Sequence, residues 1–262
     1  MESISQLREI CQKPRLWADT WQGRYICRPV SIYITSLFLR MGFSPDAATF
    51  SFLACGILGS LLLISSNRVA FFAGTLFLQL SYILDHVDGE IARYRKQTSL
   101  TGIYLDKISH YILHPFIFLC MGLSIYNYRH DFMLFMASLL AGYSILMISI
   151  STDAISSVLN DNEKPIQSIN QSAGSLKSTK NSNDERKNLF ARVFSMVHAL
   201  CVFPTVMNII FFASLLNLFI DFNIIEVLVI FYAACATFVW MARVLVFILQ
   251  KRVDKEGVAR HE

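Results

Sequence analysis

DHVDGEIARYRKQTSLTGIYLDKISH, residues 85–110, decides how this chain is read. It joins two apolar segments, yet Asp85, Asp88 and Glu90 end the first, and Asp106 and His110 stand in the start of the second. A charged side chain at mid-membrane costs roughly 2.5–3.5 kcal/mol on insertion scales, and less near the water interface. Several such groups together need something that offsets them. Divalent cations do so, because hard metals take carboxylate oxygens and cancel the repulsion that would otherwise protonate one of the acids. On a helix, Asp85 and Asp88 stand at i and i+3 and share a face. Gly102, Asp106 and His110 recur every four residues and form one stripe. A turn around residues 97–99 folds the second helix against the first and brings Asp106 opposite the two acids. Gly89, Ala92 and Gly102 leave room for close backbone approach.

Outward from this stretch, the composition points to a bilayer as solvent. Of 262 residues, 54% are hydrophobic and 16% charged, and the mean hydropathy is +0.47, which is apolar for a soluble protein of this length. The chain therefore reads as an all-α integral membrane protein with six transmembrane helices, at about 46–65, 69–92, 100–125, 132–158, 189–220 and 224–249, each near the ~20 residues a span requires. The second and third overrun a bilayer, and their excess turns carry the acids. Six cysteines are scattered without a C-x-x-C pair and read as buried thiols, not a zinc site.

Residues 1–43 form an N-terminal segment without an early apolar core, which argues against a cleavable signal peptide. Within it, residues 28–42 (RPVSIYITSLFLRMG) are too short to span, and Pro29 suits a first helical turn. They read as an interfacial amphipathic helix with Arg28 and Arg40 near headgroups; a plain lead-in to the first span is the alternative. In residues 42–49, GFSPDAAT, Ser44 or Asp46 can cap the next helix and Pro45 fits its first turn. The membrane domain covers 44–250. A tract at 160–188, rich in Ser, Asn, Asp and Lys, reads as a mobile loop, and 251–262 as a tail.

Lys and Arg counts give the orientation. Nineteen lie in the N-terminal segment, the link between the second and third spans (Arg93, Arg95 and Lys96), the loop region through Arg192 and the tail; only Arg68 and Arg129 lie in the opposite connections. Both termini and the acids are thus expected to face the cytosol.

The stretch resembles the signature of the CDP-alcohol phosphotransferases, D-x-x-D-G-x-x-A-R, eight residues, then G-x-x-x-D-x-x-x-D. Asp85, Asp88, Gly89, Ala92, Arg93, Gly102 and Asp106 fall in register, and His110 replaces the last aspartate. The resemblance implies a metal-dependent membrane transferase of phospholipid or glycolipid synthesis. It would use Mg²⁺ or Mn²⁺ to move a substituted phosphate from a CDP-linked donor to an acceptor hydroxyl, releasing CMP. It assigns Asp85, Asp88, Asp106 and His110 to the metal, His110 and Asp106 to catalysis, and Gly89, Ala92, Arg93 and Gly102 to the substrate. Family members often carry P-N-x-x-T before the first span, so Thr49 joins that set, with a simple helix start as the alternative. In the family the last aspartate ligates a second metal and acts as base. An imidazole can do either, or its presence marks an inactive relative.

Arg93 could pair with Asp88 or hold a phosphate. Glu90 reads as solvated or paired with a neighbouring base, and His114 as a satisfied buried histidine beside Pro115. Asp153 and Arg243 are candidates for acceptor binding, whereas His198 and Glu226 could equally lie at span ends. The donor is either CDP-diacylglycerol or a soluble CDP-linked head group passed to a lipid or lipid-linked glycan. A non-catalytic cation-binding or transport protein is the rival of another class. The implied partners are membrane lipids and a second copy of the chain, not nucleic acid; the implied place is a bacterial inner membrane.

Overall fold

The computed structural model describes residues 2–15, 22–163, 194, 196–220 and 223–249. Within them the regular elements are helical: α1 (Ile4–Cys11), a 3₁₀ turn (Lys13–Arg15), a π turn (Gly23–Cys27), α2 (Arg28–Arg40), α3 (Pro45–Leu62), α4 (Arg68–Arg95), α5 (Leu100–Arg129), α6 (Phe132–Glu163), α7 (Phe203–Leu216) and α8 (Ile224–Leu249).

Local sequence sets the boundaries. Ser44 caps α3 by accepting from the Ala47 N–H at 3.1 Å, with Pro45 in the first turn. Asn67 caps α4 through the Val69 N–H, and Ser99 caps α5 through that of Gly102. Lys96, at φ 54°, ends α4 in the left-handed conformation, and the Gln97 N–H returns to the Ala92 carbonyl. Gly42, at φ 80°, turns the chain between α2 and α3, where a side chain would be strained.

Among the described residues five helices are long and apolar enough to cross a membrane: Pro45–Leu62, Arg68–Arg95, Leu100–Arg129, Phe132–Ala154 and Ile224–Val246. The sixth expected span, 189–220, is not one continuous helix among the described residues. Val202 takes an extended conformation and Pro204, which lacks an N–H, opens α7. The 14 residues of α7 rise only ~21 Å, against a hydrocarbon core of ~30 Å. Residues 160–163 continue α6; the rest of the expected loop at 160–188 and the tail at 251–262 lie outside the described residues.

α4 is the centre of the bundle, packed by α1, α2, α3 and α7, while α5 packs on α3 and α6, and α6 on α8. The core runs through Phe52, Leu78, Leu113, Phe118, Met121, Ile145, Met207 and Tyr232. Small residues let α3 and α4 meet backbone to backbone: a Cβ on Gly74 would stand 2.6 Å from the Gly59 carbonyl oxygen.

α2 corrects the expectation for the N-terminal segment. Ile26, Val30, Tyr33, Leu37 and Met41 form an exposed apolar stripe, as an interfacial helix requires. Arg28, however, is buried with Ser31, Ile32 and Thr35 against α4, so the polar side of the helix faces the protein.

Candidate active site

The last turns of α4 and the first turns of α5 bring the signature acids together. His110 is the link. Its Nε2 lies 3.0 Å from Asp85 Oδ1 on α4 and 3.3 Å from Asp106 Oδ1, one turn earlier on α5. One ligand atom from each of these three residues falls within 4.8 Å of the others, a spacing that could hold a metal ion. Two carboxylates and an imidazole nitrogen suit a divalent ion; the oxygens fit Mg²⁺ or Mn²⁺, and the nitrogen tilts the set toward the transition metal.

Asp88 is turned differently from its neighbours. Thr49 Oγ1 donates to its Oδ2 at 2.8 Å, and the Gly89 backbone N–H donates to Oδ1. Thr49, expected at the nucleotide, is therefore buried and orients an acid.

The small residues open the remaining side. A Cβ on Gly102 would meet Ser99 Oγ at 3.3 Å and Asp46 Oδ1 at 3.9 Å, so α3, α4 and α5 all border this end. Gly89 stands under the Arg93 guanidinium, 3.1 Å from where its Cβ would be. Ala92 is half-buried on the same end of α4. Arg93 Nε donates to the Cys11 carbonyl at the end of α1, a contact the sequence reading did not include.

Two histidines differ from their neighbour. His114, one turn beyond His110 with ring centres 5.3 Å apart, is buried and stacked on Phe203, and neither ring nitrogen has a hydrogen-bond partner among the described residues. The expected satisfied histidine is thus unsatisfied, because the aromatic packing of α7 occupies the space a polar partner would need. His198 Nε2 lies 2.9 Å from Arg243 Nη1, which also donates to Thr152 Oγ1 at 2.8 Å.

Asp153 is part of the same side of the bundle. It accepts from the Tyr111 hydroxyl and pairs with Lys107 Nζ at 3.1 Å, on the α5 turns that also carry Asp106 and His110. Tyr111 was not singled out in the sequence, although its place beside His110 was visible there. At the other end of the bundle, Arg129 pairs with Glu226 at 2.7 Å.

Comparison with known proteins matches this constellation to a family. The model of the CDP-alcohol phosphatidyltransferase domain matches residues 43–177, slightly more than half of the chain and the whole of the Asp85–His110 stretch. The chain belongs to the CDP-alcohol phosphatidyltransferase family. A curated relative, the bifunctional IPC transferase and DIPP synthase of Thermococcus kodakarensis, is 31% identical over 136 residues, covering 52% of this chain. The chain spans only 29% of that relative's length. The fold is similar to that of phosphatidylinositol phosphate synthase from Mycobacterium tuberculosis. Its structure with CDP-DAG bound gives a TM-score of 0.56 at 17% identity over 82% of this chain and 92% of that one. Its complex with manganese and citrate gives 0.56 at 18% identity, over 82% and 87%. Its apolar helices make it a multi-pass membrane protein.

Proposed function

We propose that this family member transfers a substituted phosphate from a CDP-linked donor to an acceptor hydroxyl, releasing CMP in phospholipid or glycolipid synthesis. The observation that carries the reading is the convergence of Asp85, Asp106 and His110 from two helices onto one point, in the family's own register. These three residues would hold Mg²⁺ or Mn²⁺, with Asp88 beside them. The manganese complex of the M. tuberculosis protein supports that assignment. Bound there, the ion would supply charge neutralisation for a pyrophosphate and for the departing CMP.

The chain's own residues do the rest. Gly89, Ala92 and Gly102 carry little or no side chain, so a nucleotide can approach the backbone of both helices. Thr49 keeps Asp88 aimed across α3. The acceptor oxygen forms a bond to the β-phosphorus, the bond from that phosphorus to the CMP oxygen breaks, and the hydroxyl proton passes to the Asp106 carboxylate oxygen that is not turned to the ion. Lys107 and Tyr111, on the α5 turns of Asp106 and His110, with Asp153 of α6 and with Arg243 of α8 bonded to Thr152 beside it, would take the polar end of the acceptor. Arg93 has a positioning part in this scheme, through the α1 carbonyl it holds.

The donor is either CDP-diacylglycerol, as in the complex of the M. tuberculosis protein, or a soluble CDP-alcohol. Membranes holding the protein should release CMP from one of CDP-diacylglycerol and CDP-ethanolamine in the presence of Mn²⁺; release from neither removes the reading. A cation-transport role is disfavoured by what lies between the two ends of the bundle. The described side-chain hydrogen bonds between helices there join neutral groups, among them Thr75 with Ser214, Ser144 with Thr237 and Gln79 with Asn208. Ion flux that persists in Asp106→Asn without CMP release at any stage would favour transport. The distribution of Lys and Arg supports an active site on the cytosolic side, in a bacterial inner membrane by family analogy. Crosslinking in mild detergent tests the homodimer.

A further inference from the structure

Glu90 sits between signature residues but points away from the acids. At 100° per residue it lies about 140° around the α4 axis from Asp85. It is 0% exposed. Four donors converge on its carboxylate: Gln12 Nε2 at 2.9 Å, Ser31 Oγ at 2.7 Å and Arg28 Nη1 at 3.5 Å on Oε1, and Thr35 Oγ1 at 2.6 Å on Oε2. Gln12 also donates to the Arg28 carbonyl at 2.8 Å, so the cage is tied to itself. Every donor comes from α2 or the residue after α1, upstream of residue 43, where the family match begins.

The next turn of α4 holds the same partner. Arg93 Nε reaches the Cys11 carbonyl, and the Tyr94 hydroxyl donates to Glu2. One face of the turn from Asp85 to Tyr94 therefore presents acids to α3 and α5, while the other is fastened to the N-terminal segment. A buried carboxylate with a full set of donors resists rotation or sliding of its helix, because any displacement leaves a charge unsatisfied in low dielectric.

We propose that Glu90 is a positioning residue for the phosphotransfer site. Through Gln12, Arg28, Ser31 and Thr35 it locks α1 and α2 to α4 and so fixes the rotation and height at which Asp85 and Asp88 face Asp106 and His110. This rests on the reading of those acids as a cation site.

The test uses the full-length protein in detergent, with Mn²⁺ binding followed by electron paramagnetic resonance and Cys11 accessibility by maleimide labelling with peptide mapping. Wild type binding Mn²⁺ is the precondition from the proposed function, and its failure removes that reading, not the fastening of α2. With it met, Glu90→Gln should weaken Mn²⁺ binding about tenfold or more, the scale seen when a ligand loses an outer support. It should lower kcat more than it raises KM, and expose buried Cys11 to label. Thr35→Val, which keeps the shape and the charge, should shift Mn²⁺ affinity the same way by about threefold, and Glu90→Asp should recover part of the loss. Mn²⁺ affinity within twofold of wild type in folded Glu90→Gln overturns the proposal. Should that variant not fold, unchanged affinity in Thr35→Val overturns it instead.

Discussion

The end of α4 from Asp85 to Tyr94 and the facing start of α5 carry two kinds of carboxylate, and their surroundings differ. Glu90 has donors at both oxygens and no exposure. Asp85 and Asp106 share a single imidazole nitrogen between them, and the Asp106 side chain is 43% exposed. A carboxylate whose lone pairs are filled by protein donors has no coordination left to offer. One that lacks donors is costly as it stands and gains from a cation. Within α4, Glu90 is thus held at both oxygens, whereas Asp85 meets only the His110 nitrogen it shares with Asp106.

Removing charge from the open side should have the largest effect. Asp85→Asn or Asp106→Asn should cut CMP release about a thousandfold, since charge stabilisation by a bound metal is worth several kcal/mol. Chelation with EDTA should do the same to wild type, with Mn²⁺ restoring activity better than Mg²⁺. An Asp106→Asn variant within tenfold of wild type would remove the comparison altogether.

His110 sharpens it. His110→Ala removes one of the three ligand atoms and should weaken Mn²⁺ binding about tenfold or more, with CMP release falling alongside. His110→Asp, which completes the family signature, should retain activity and bind Mn²⁺ more tightly than wild type, because a neutral ligand becomes an anionic one. Tighter binding in the alanine variant would contradict this.

Thr49→Val deletes the donor that orients Asp88 and should lower kcat/KM about tenfold, the scale of one hydrogen bond to a charged group. An unchanged kcat/KM would leave Asp88 with no part in the chemistry.

On the closed side, burial first and the Glu90 charge second push the Cys11 thiol up to about 11. A raised thiol pKa keeps the folded form neutral until pH approaches that value, whereas an unfolded thiol ionises near ~8.5. The contribution of Cys11 to stability is therefore complete below about pH 8.5 and declines as pH rises from there toward 11. Maleimide labelling at Cys11 should be slow at pH 7.5 and rise about tenfold per pH unit. Rapid labelling at neutral pH would mean that α1 does not stay docked.

The smallest effect belongs to the far end of the bundle. Arg129→Gln breaks a partly exposed pair with Glu226 and should change stability by no more than ~1 kcal/mol, with CMP release within twofold of wild type.

Much of this was legible in the chain because it is local. The i, i+3 and i, i+4 spacing of Asp85, Asp88, Asp106 and His110 needs only helical geometry and a short turn around 97–99, and the start of α3 at Ser44 and Pro45 was legible from one or two residues. The closed side was not, because its partners are remote. Glu90 is 55 residues from Thr35 and 78 from Gln12, and nothing in local periodicity says that the polar side of α2 turns inward. The same holds for His114, whose missing partners follow from Phe203 arriving from another helix. Around the sixth expected span, hydropathy averages over Pro204, whereas the backbone breaks the helix at Val202 among the described residues.

The length of α4 has a consequence for where the proposed reaction would take place. Its 28 residues rise ~42 Å, and Asp85 lies ~26 Å along the axis from Arg68. With Arg68 held at the far surface, the acids come out near the opposite boundary of a ~30 Å oil layer, level with lipid phosphates. A water-soluble reactant and one with fatty tails could then meet there with each still in its own phase, and neither would have to be carried across the greasy interior.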